Sequence, residues 1–424
     1  MAEHQFVGFG FGPIQGGLFA KEAFQSGNFT RIVVAEIDSE LVNAVRANKG
    51  TYYVNVAKSD GIKVIKVNNV VLLNPNVPDD KHTLLKILTE STEIATCLPS
   101  VDFYESGEEN SVASLIAEGL KSSKAYATII YTAENNNHAA EILERAVAGK
   151  IGTLTQKRVR FLNTVVGKMS RVVTNPAEIK KRKLKTITPV LDRAFLVEEF
   201  NRILVNRTQI ADFNPGIEVF IEKDDLLPFE EAKLFGHNAI HTLLGFIGDL
   251  RGATSMSRLK KDKEIMQIAR AAFLNECGAA LVKKHAHLGD ELFTDAGFRD
   301  YAEDLLERMT NPYLGDTVAR ACRDVVRKLG INDRIFGTMS LALEHGIEPK
   351  NMALAAMAGI AVLLKNAKEY ELPVNLCLGD WRKLDNDGIE KIIKWLWKGQ
   401  ATTHSPQLIE YVRNTKKHLK KLKL

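Results

Sequence analysis

QFVGFGFGPIQGG, residues 5–17, is an apolar run that ends in glycines and leads into a segment of helical composition. The apolar run predicts a β-strand, and Pro13 is tolerated in the first turn of a helix. RIVVAEID, residues 31–38, predicts a second strand because it is rich in β-branched residues. The order strand, glycine turn, helix, strand is typical of the beginning of an α/β domain.

The glycines of this stretch approximate a fingerprint for dinucleotide binding. Gly10, Gly12 and Gly17 lie around the turn, where small residues let backbone N–H groups at the helix start approach a pyrophosphate. Gln15 stands where the third fingerprint glycine would be. Glu36 ends the second strand about 20 residues beyond the loop, where a carboxylate binds a ribose hydroxyl and repels a 2′-phosphate. The sequence therefore predicts NAD as cofactor, with a glycine-rich turn beside a surface acid as the alternative.

Strand-like and helix-like segments alternate through about residue 190, which predicts a mostly parallel, doubly wound sheet. Three later segments predict strands: IKVIKVNNVVLLN (62–74), STEIATCLPS (91–100) and AYATIIYTAEN (125–135). From residue 192 the pattern turns helical, beginning with LVEEFNRILVN (196–206). We therefore predict an α/β protein with a Rossmann-like domain over residues 1–191 and a mostly α-helical domain over residues 192–424.

Composition narrows the classes of partner. The 424 residues are 45% hydrophobic and 26% charged, as in soluble globular proteins, and a net charge of +5 from 57 basic and 52 acidic residues gives little reason to expect nucleic acid as a partner. The four cysteines lack C-x-x-C spacing, which argues against a disulfide framework or a cysteine zinc site. No secretion signal and no run of about 18 apolar residues is present. We expect a cytoplasmic protein that does not bind membranes and that is a monomer or homodimer.

KLFGHNAIH, residues 233–241, places four polar side chains on an otherwise apolar segment. In an α-helix Lys233, His237, His241 and Asn238 would project at about 0°, 40°, 80° and 140°, on one side of the helix. The spacing of His237 and His241 is also that of a zinc-binding H-E-x-x-H motif. However, Asn238 replaces the glutamate of that motif and no third ligand is near in sequence, so we predict no metal.

The same residues suit hydride transfer from a secondary alcohol. Without a metal, such a reaction needs a base for the hydroxyl proton and donors for the developing alkoxide. Lys233 can be the base if burial lowers its pKa from about 10.4 toward neutrality. The Asn238 amide can donate to the oxygen, and His241 can orient it. A polar helix face with satisfied histidines is the alternative interpretation.

The pattern K-x-x-x-x-N-x-x-H, formed by Lys233, Asn238 and His241, resembles the signature of the polyol-specific long-chain dehydrogenases, the mannitol dehydrogenase family. Other matches occur in the same order along most of the chain: the glycine loop, AEID (35–38), AEN (133–135) and NPYLGDTVARACRDVVRKLGINDR (311–334). The resemblance implies that Lys233 is the catalytic acid/base and that His241 binds and orients the substrate. It also implies that Asn135 and Asn238 polarise the substrate oxygen.

The resemblance further implies a binding role for basic residues near position 320. Arg320 and Lys328 would hold the far hydroxyls of the substrate or a phosphate. Arg323, one turn beyond Arg320, is a further candidate because an arginine fork suits phosphate or carboxylate groups. An exposed basic helix face is the alternative for each of them.

We therefore expect an NAD-dependent, zinc-independent polyol dehydrogenase that acts on a hexitol or hexitol phosphate, with mannitol 1-phosphate and fructose 6-phosphate as first choice. Oxidation of unphosphorylated mannitol and reduction of fructuronate or tagaturonate are the alternatives within this class. A non-catalytic dinucleotide-binding sensor is the alternative outside it. Gln15, and Val166-Gly167-Lys168 where the family commonly has Val-Asp-Arg, depart from the family pattern. The last 50 or so residues add little support.

Overall fold

The glycine stretch folds as a strand, a turn and a helix. The structure, a computed structural model, describes residues 4–151, 158–200, 202–376 and 380–422. Strand β1, His4–Phe9, is followed by a π-helical turn, Gln15–Phe19, which continues directly as helix α1, Ala20–Ser26. Strand β2, Phe29–Ala35, then returns parallel to β1. The predicted strand, turn, helix, strand unit is confirmed.

Ten further strands follow before residue 224. They are β3 Tyr52–Ala57, β4 Ile62–Val67, β5 Val70–Leu73, β6 Glu93–Thr96, β7 Thr128–Thr132, β8 Val159–Val166, β9 Ser170–Val173, β10 Ala194–Glu198, β11 Ile203–Asn206 and β12 Phe220–Lys223. Eight strands form one sheet in the order β12-β11-β8-β7-β6-β1-β2-β5, in which only β8 and β11 pair in antiparallel fashion among the described strands. The chain leaves β1 toward β2 and β5 and then returns to β6 on the other side. This reversal of strand order creates a crevice at the carboxyl ends of β1 and β6, where such folds bind nucleotides.

Helices cover the large sheet, and its two faces support separate cores. The helices of this part after α1 are α2 Ser39–Ala47, α3 Pro78–Leu88, α4 Val112–Lys121, α5 Ala139–Ile151 and α6 Pro176–Arg182. Side chains alternate along each strand, so neighbours face opposite sides. Phe6 lies in a core with residues of α1 and α2, whereas Val7 lies in one with residues of α3, α4 and α5. The predicted doubly wound α/β architecture is confirmed.

We predicted that the segment after residue 192 is helical, but it first forms the three strands β10, β11 and β12. β10 lies between β3 and β9 in a second, four-stranded sheet of order β4-β3-β10-β9, and β11 and β12 extend the large sheet. All five residues of β10 are buried. LVEEFNRILVN (196–206) carries glutamates that favour helices, but burial against partners distant in sequence overrides that local preference. The chain divides into two compact units, residues 1–227 and 228–424, so the predicted boundary at 191 falls within the first unit.

Among the described residues the second unit is helical. Its helices are α7 Leu227–Glu231, α8 Ala239–Leu250, α9 Met256–Leu259, α10 Lys263–Ala271, α11 Ala279–His285, α12 Asp295–Met309, α13 Val318–Cys322, α14 Val325–Lys328, α15 Phe336–Glu344, α16 Lys350–Lys365, α17 Asn386–Leu396 and α18 Ser405–Lys421. π-Helical turns join α7 to α8, at Ala232–Asn238, and α10 to α11, at Ala272–Gly278. Helix α16, buried from Met352 to Leu364, packs against α8 and α18 as the centre of this unit.

One continuous helical run in the described residues, Lys263–Leu288, is long and apolar enough to cross a membrane by length and composition alone. In its most apolar window 56% of the residues are buried inside the protein. Such burial is typical of a core helix. The cytoplasmic location and the monomeric or dimeric state stay predictions.

Candidate active site

The glycine loop borders a pocket of about 430 Å³ in the first unit. Its lining includes Gly10 and Gly12 after β1, Glu36 after β2, and Cys97 and Leu98 after β6. Gly10 has a φ of +80°, and a Cβ there would lie 2.9 Å from the Cys97 carbonyl oxygen, so this position requires glycine. A Cβ on Gly12 would meet no atom within 4 Å. The pocket lies at the predicted crevice, and its open glycine edge leaves backbone approachable by a pyrophosphate.

Glu36 holds the glycine loop in place. Its two carboxylate oxygens accept hydrogen bonds from the backbone N–H of Phe11, at 2.5 Å, and of Asp38, at 2.9 Å. A carboxylate has about four acceptor sites, so ribose hydroxyls can still bind it. Asp38 also lines the pocket, where it pairs with Arg193 at 2.8 Å. The acidic edge fits a dinucleotide without a 2′-phosphate.

Gln15, the departure from the fingerprint, is accommodated by Gly8 of β1. The Gln15 side chain is fully buried, and a Cβ on Gly8 would lie 1.6 Å from its Nε2. Its Oε1 accepts a hydrogen bond from the Cys97 thiol at 2.7 Å, while its Nε2 has no hydrogen-bond partner. The third fingerprint glycine normally permits close packing of helix and strand. Here Gly8, on strand β1, leaves the space that the Gln15 side chain fills.

Gly17 serves the same packing. It is buried, and a Cβ there would lie 2.5 Å from Cγ1 of Val197 in β10. We predicted that Gly17 binds the cofactor. Among the described residues, however, it is not one of those that line the pocket. Its direct contribution to cofactor binding stays a prediction.

Gly8→Ala should lower the melting temperature by several degrees, because overpacking a core by one methyl group costs about 1–3 kcal/mol. Gln15→Gly in the same chain should recover most of the loss, since it removes the clashing side chain. Thermal unfolding of both single variants and the double variant measures the coupling. Gly12→Ala is the matched control, with unchanged stability but weaker NAD binding. If the double variant loses as much stability as the two single variants together, the Gln15 side chain does not occupy the space that Gly8 leaves, and this explanation is wrong.

In the second unit, Lys233 lies on the π-helical turn Ala232–Asn238. Hydrogen bonds in a π-turn join residues five apart rather than four, so Lys233 stands over Asn238 instead of His237. The α-helical continuation places His241 one turn further on the same side. Burial agrees, because Lys233, Asn238 and His241 are half-buried whereas His237 is buried. The grouping of all four residues on one side stays a prediction, and His237 is the most buried of them.

The electrostatic surroundings of Lys233 suit a proton carrier. Burial, opposed by the charge of Glu230 and assisted by that of Arg334, lowers its pKa to about 8. Within the described part of the chain, its ammonium forms no hydrogen bond or ion pair. The side chain can therefore gain and release a proton near neutral pH.

His241 is held by an acid that sequence reasoning did not single out. Its Nε2 lies 2.7 Å from Oδ2 of Asp316, whose Oδ1 accepts a hydrogen bond from Nε of Arg320 at 2.8 Å. Asp316 is buried at the start of α13. Burial alone would raise its pKa, but the hydrogen bonds and charges of His241 and Arg320 prevail and hold the pKa well below its usual value. Asp316 stays ionised and fixes the orientation of both partners.

His237 does not take part in this arrangement. Burial and the surrounding cations, first Arg308, hold its pKa well below the ordinary value, so the ring is neutral. In the described residues no group of three His, Cys, Asp or Glu side chains could hold a metal ion. Zinc independence stays a prediction.

The two asparagines occupy different units. The Asn238 carbonyl accepts a hydrogen bond from Thr242 at 2.8 Å, and its side-chain amide makes none within the described residues. This amide is therefore available to a ligand. Asn135 is exposed and follows the carboxyl end of β7 in the first unit.

The predicted basic residues differ in burial. Arg320 is bound to Asp316, and the Lys328 Nζ is buried and donates a hydrogen bond to the Ala321 carbonyl at 2.8 Å. Arg323 is exposed and follows the end of α13 as its cap, not as part of the next turn. Hydrogen bonds thus hold Arg320, which is partly buried, and Lys328, which is buried, whereas Arg323 lies on the surface.

Comparison with known proteins agrees with this site. The family model of the mannitol dehydrogenase C-terminal domain matches residues 225–395, which include Lys233, Asn238 and His241. Mannitol-1-phosphate 5-dehydrogenase from Bacillus velezensis is 29% identical over 353 residues, covering 82% of this chain and 86% of the relative. The part of the chain that carries the site therefore matches the mannitol dehydrogenase family, and most of the chain is similar to a mannitol-1-phosphate 5-dehydrogenase.

Two solved structures show that the fold is shared with polyol dehydrogenases. D-sorbitol dehydrogenase in its substrate-free form superposes with a TM-score of 0.78 at 16% identity, covering 99% of this chain and 94% of the other. Mannitol 2-dehydrogenase from Pseudomonas fluorescens, solved as a ternary complex with NAD and D-mannitol, gives a TM-score of 0.69 at 16% identity, covering 99% and 92%. The chain thus shares with them a fold that combines a Rossmann-like part and a helical part.

Proposed function

We propose that the protein is an NAD-dependent polyol dehydrogenase of the mannitol dehydrogenase family that interconverts mannitol 1-phosphate and fructose 6-phosphate without zinc. The observation that carries the proposal is Lys233, a half-buried lysine with a pKa of about 8 and no ion pair among the described residues. Asn238 and His241 stand on the same side of its helix. This set provides the base and the oxygen ligands that a metal would otherwise provide.

Each residue has a role that follows from its contacts. In oxidation, neutral Lys233 takes the proton of the reacting hydroxyl at Nζ. The Asn238 amide donates to the same oxygen as negative charge develops there, and Asn135 would add a second amide. His241, held by Asp316, accepts or donates a hydrogen bond to a neighbouring hydroxyl. In reduction, the Lys233 ammonium returns the proton to the oxygen.

The pocket of the first unit supports NAD as the cofactor, which when bound accepts the hydride from the substrate carbon. Its open glycine edge at Gly10 and Gly12 accommodates a pyrophosphate, and the carboxylates of Glu36 and Asp38 disfavour a 2′-phosphate. The NAD complex of the Pseudomonas relative supports the same choice.

Steady-state reduction by NADH of fructose 6-phosphate, fructose, fructuronate and tagaturonate tests the proposal. We expect kcat/KM for fructose 6-phosphate to exceed that for fructose by roughly 10- to 100-fold, because a buried charged contact contributes that much. NADPH should be a much poorer donor, and activity should survive chelation.

Each other outcome points elsewhere. No turnover of fructose 6-phosphate would exclude the first choice, and turnover of a uronate or of fructose alone would select that alternative. No turnover of any substrate, with NADH still bound, would indicate a sensor.

A further inference from the structure

A third basic side chain lies beside Lys233 and Lys328. Arg334 precedes helix α15, and the single hydroxyl proton of Thr338 in that helix lies between two acceptors, the Arg334 carbonyl at 2.5 Å and the Phe235 carbonyl at 3.2 Å. Phe235 is part of the π-turn that carries Lys233. The two backbone segments are therefore joined through one hydroxyl group.

The charges of this group repel one another. The Arg334 charge lowers the pKa of Lys233, of Lys328 and of His237, in each case as a contribution beside burial. Burial first, and then the charge of Arg327, lowers the pKa of Arg334 itself. Several positive charges that lie close together and are partly buried attract an anion.

Arg334 has unused hydrogen-bonding capacity. Its side chain is only 13% exposed, and its Nε is buried without a hydrogen-bond partner. The carboxylate of Asp333 lies 3.7 Å from that Nε, too far for a hydrogen bond. Within the described residues the guanidinium makes no hydrogen bond at all. A buried charged donor without a partner is costly unless a ligand supplies the acceptor.

The other basic residues near this site already bind partners within the protein. The Arg320 guanidinium binds Asp316, the Lys328 ammonium binds the Ala321 carbonyl, and Arg327 pairs with Asp324 and Asp333. Arginine also presents several N–H donors in a plane that matches phosphate and carboxylate groups.

We propose that Arg334 binds the anionic end of the substrate, a phosphate monoester or a carboxylate, and so sets the preference of this enzyme for an anionic over a neutral substrate. The proposal rests on the proposed function and adds to it the residue that recognises the anion. The charge of Lys328, whose ammonium is held by the Ala321 carbonyl, adds to that of Arg334. Lys233 then meets the reacting carbon at the other end of the same six-carbon chain.

The test compares Arg334→Gln with Arg299→Gln, which removes the same charge from an exposed position on α12. At pH 7, Arg334→Gln should raise KM for fructose 6-phosphate by roughly 10- to 100-fold, with kcat changed less and kcat/KM for fructose kept. Arg334→Lys should lose only part of the preference, because it keeps the charge but not the fork. A parallel rise of KM for fructuronate, and not for fructose 6-phosphate, would assign the site to a carboxylate.

Binding of inorganic phosphate, measured by titration calorimetry, separates this proposal from the proposed function. If the wild type reduces none of the sugars, the function fails, yet phosphate should still bind the wild type and Arg299→Gln more tightly than Arg334→Gln. Equal phosphate affinity in all variants, or equal loss of fructose and fructose 6-phosphate reduction in Arg334→Gln, would overturn the role of Arg334. If Arg334→Gln does not fold, Arg334→Lys decides in the same way.

Discussion

Replacing Lys233 by alanine should lower kcat for polyol oxidation by about 10²- to 10⁴-fold, the usual contribution of a positioned base. NAD affinity should stay unchanged, because the pocket assigned to the cofactor is built from residues of the first unit. Stability should not fall, since the change removes a cation that burial disfavours. Stopped-flow and steady-state rates, NAD titration and thermal unfolding measure the three effects.

The pH dependence identifies Lys233 as the group responsible. Oxidation requires the neutral amine, so kcat/KM in the wild type should rise with pH through about 8, and reduction should fall over the same range. Lys233→Ala should lose both slopes and recover part of its rate when a small primary amine is added. Lys261→Ala, at an exposed lysine of the same unit, is the control and should behave as the wild type. An unchanged pH profile in Lys233→Ala would mean that another group is the base.

Asp316→Asn should lower kcat/KM by about 10²-fold, because misplacing a group at an active site by a short distance has an effect of that order. The amide cannot accept hydrogen bonds from both His241 and Arg320 as the carboxylate does. The melting temperature should also fall, since the partly buried Arg320 loses its buried counter-charge. Kinetics with mannitol 1-phosphate and thermal unfolding give the two values.

Asp387→Asn is the matched control, because Asp387 also pairs with a cation four residues later, Lys391, but on an exposed helix face. It should change neither activity nor melting temperature measurably. If Asp316→Asn is destabilised but keeps full kcat/KM, Asp316 supports only the fold and His241 does not depend on it.

The fold of the first unit was largely readable from local sequence. Glycines at 10 and 12, the β-branched run ending at Glu36 and the later alternation of strands and helices are local signals, and the structure follows them. The strands β10, β11 and β12 were missed because the composition after residue 192 favours helices, and only pairing with other strands makes these segments extended. β10 pairs with β9 and with β3, about 140 residues earlier, and these pairings turn a segment with helical composition into a buried strand.

The part of the candidate site that lies on one helix could be predicted from the sequence. Lys233, Asn238 and His241 lie within nine residues, so their spacing could be interpreted directly. Asp316 and Arg334 reach the same place from 75 or more residues later, through contacts that no spacing reveals. The aspartate before Thr317, with Arg320 four residues on, was the one available signal, because such a pair marks a buried helix start.

The π-turn at Ala232–Asn238 amounts to one extra residue threaded into an otherwise regular helix. Wound as a regular α-helix, the eight residues from Lys233 to His241 would turn through about 800° and leave the two side chains about 80° apart. Every functional group would still be present, yet the proton acceptor and the substrate-orienting ring would face different directions. The proposed roles of Lys233, Asn238 and His241 thus depend on the directions in which the side chains point around the helix as much as on their chemistry. A helical wheel drawn from the sequence assumes a regular α-helix and cannot show these directions.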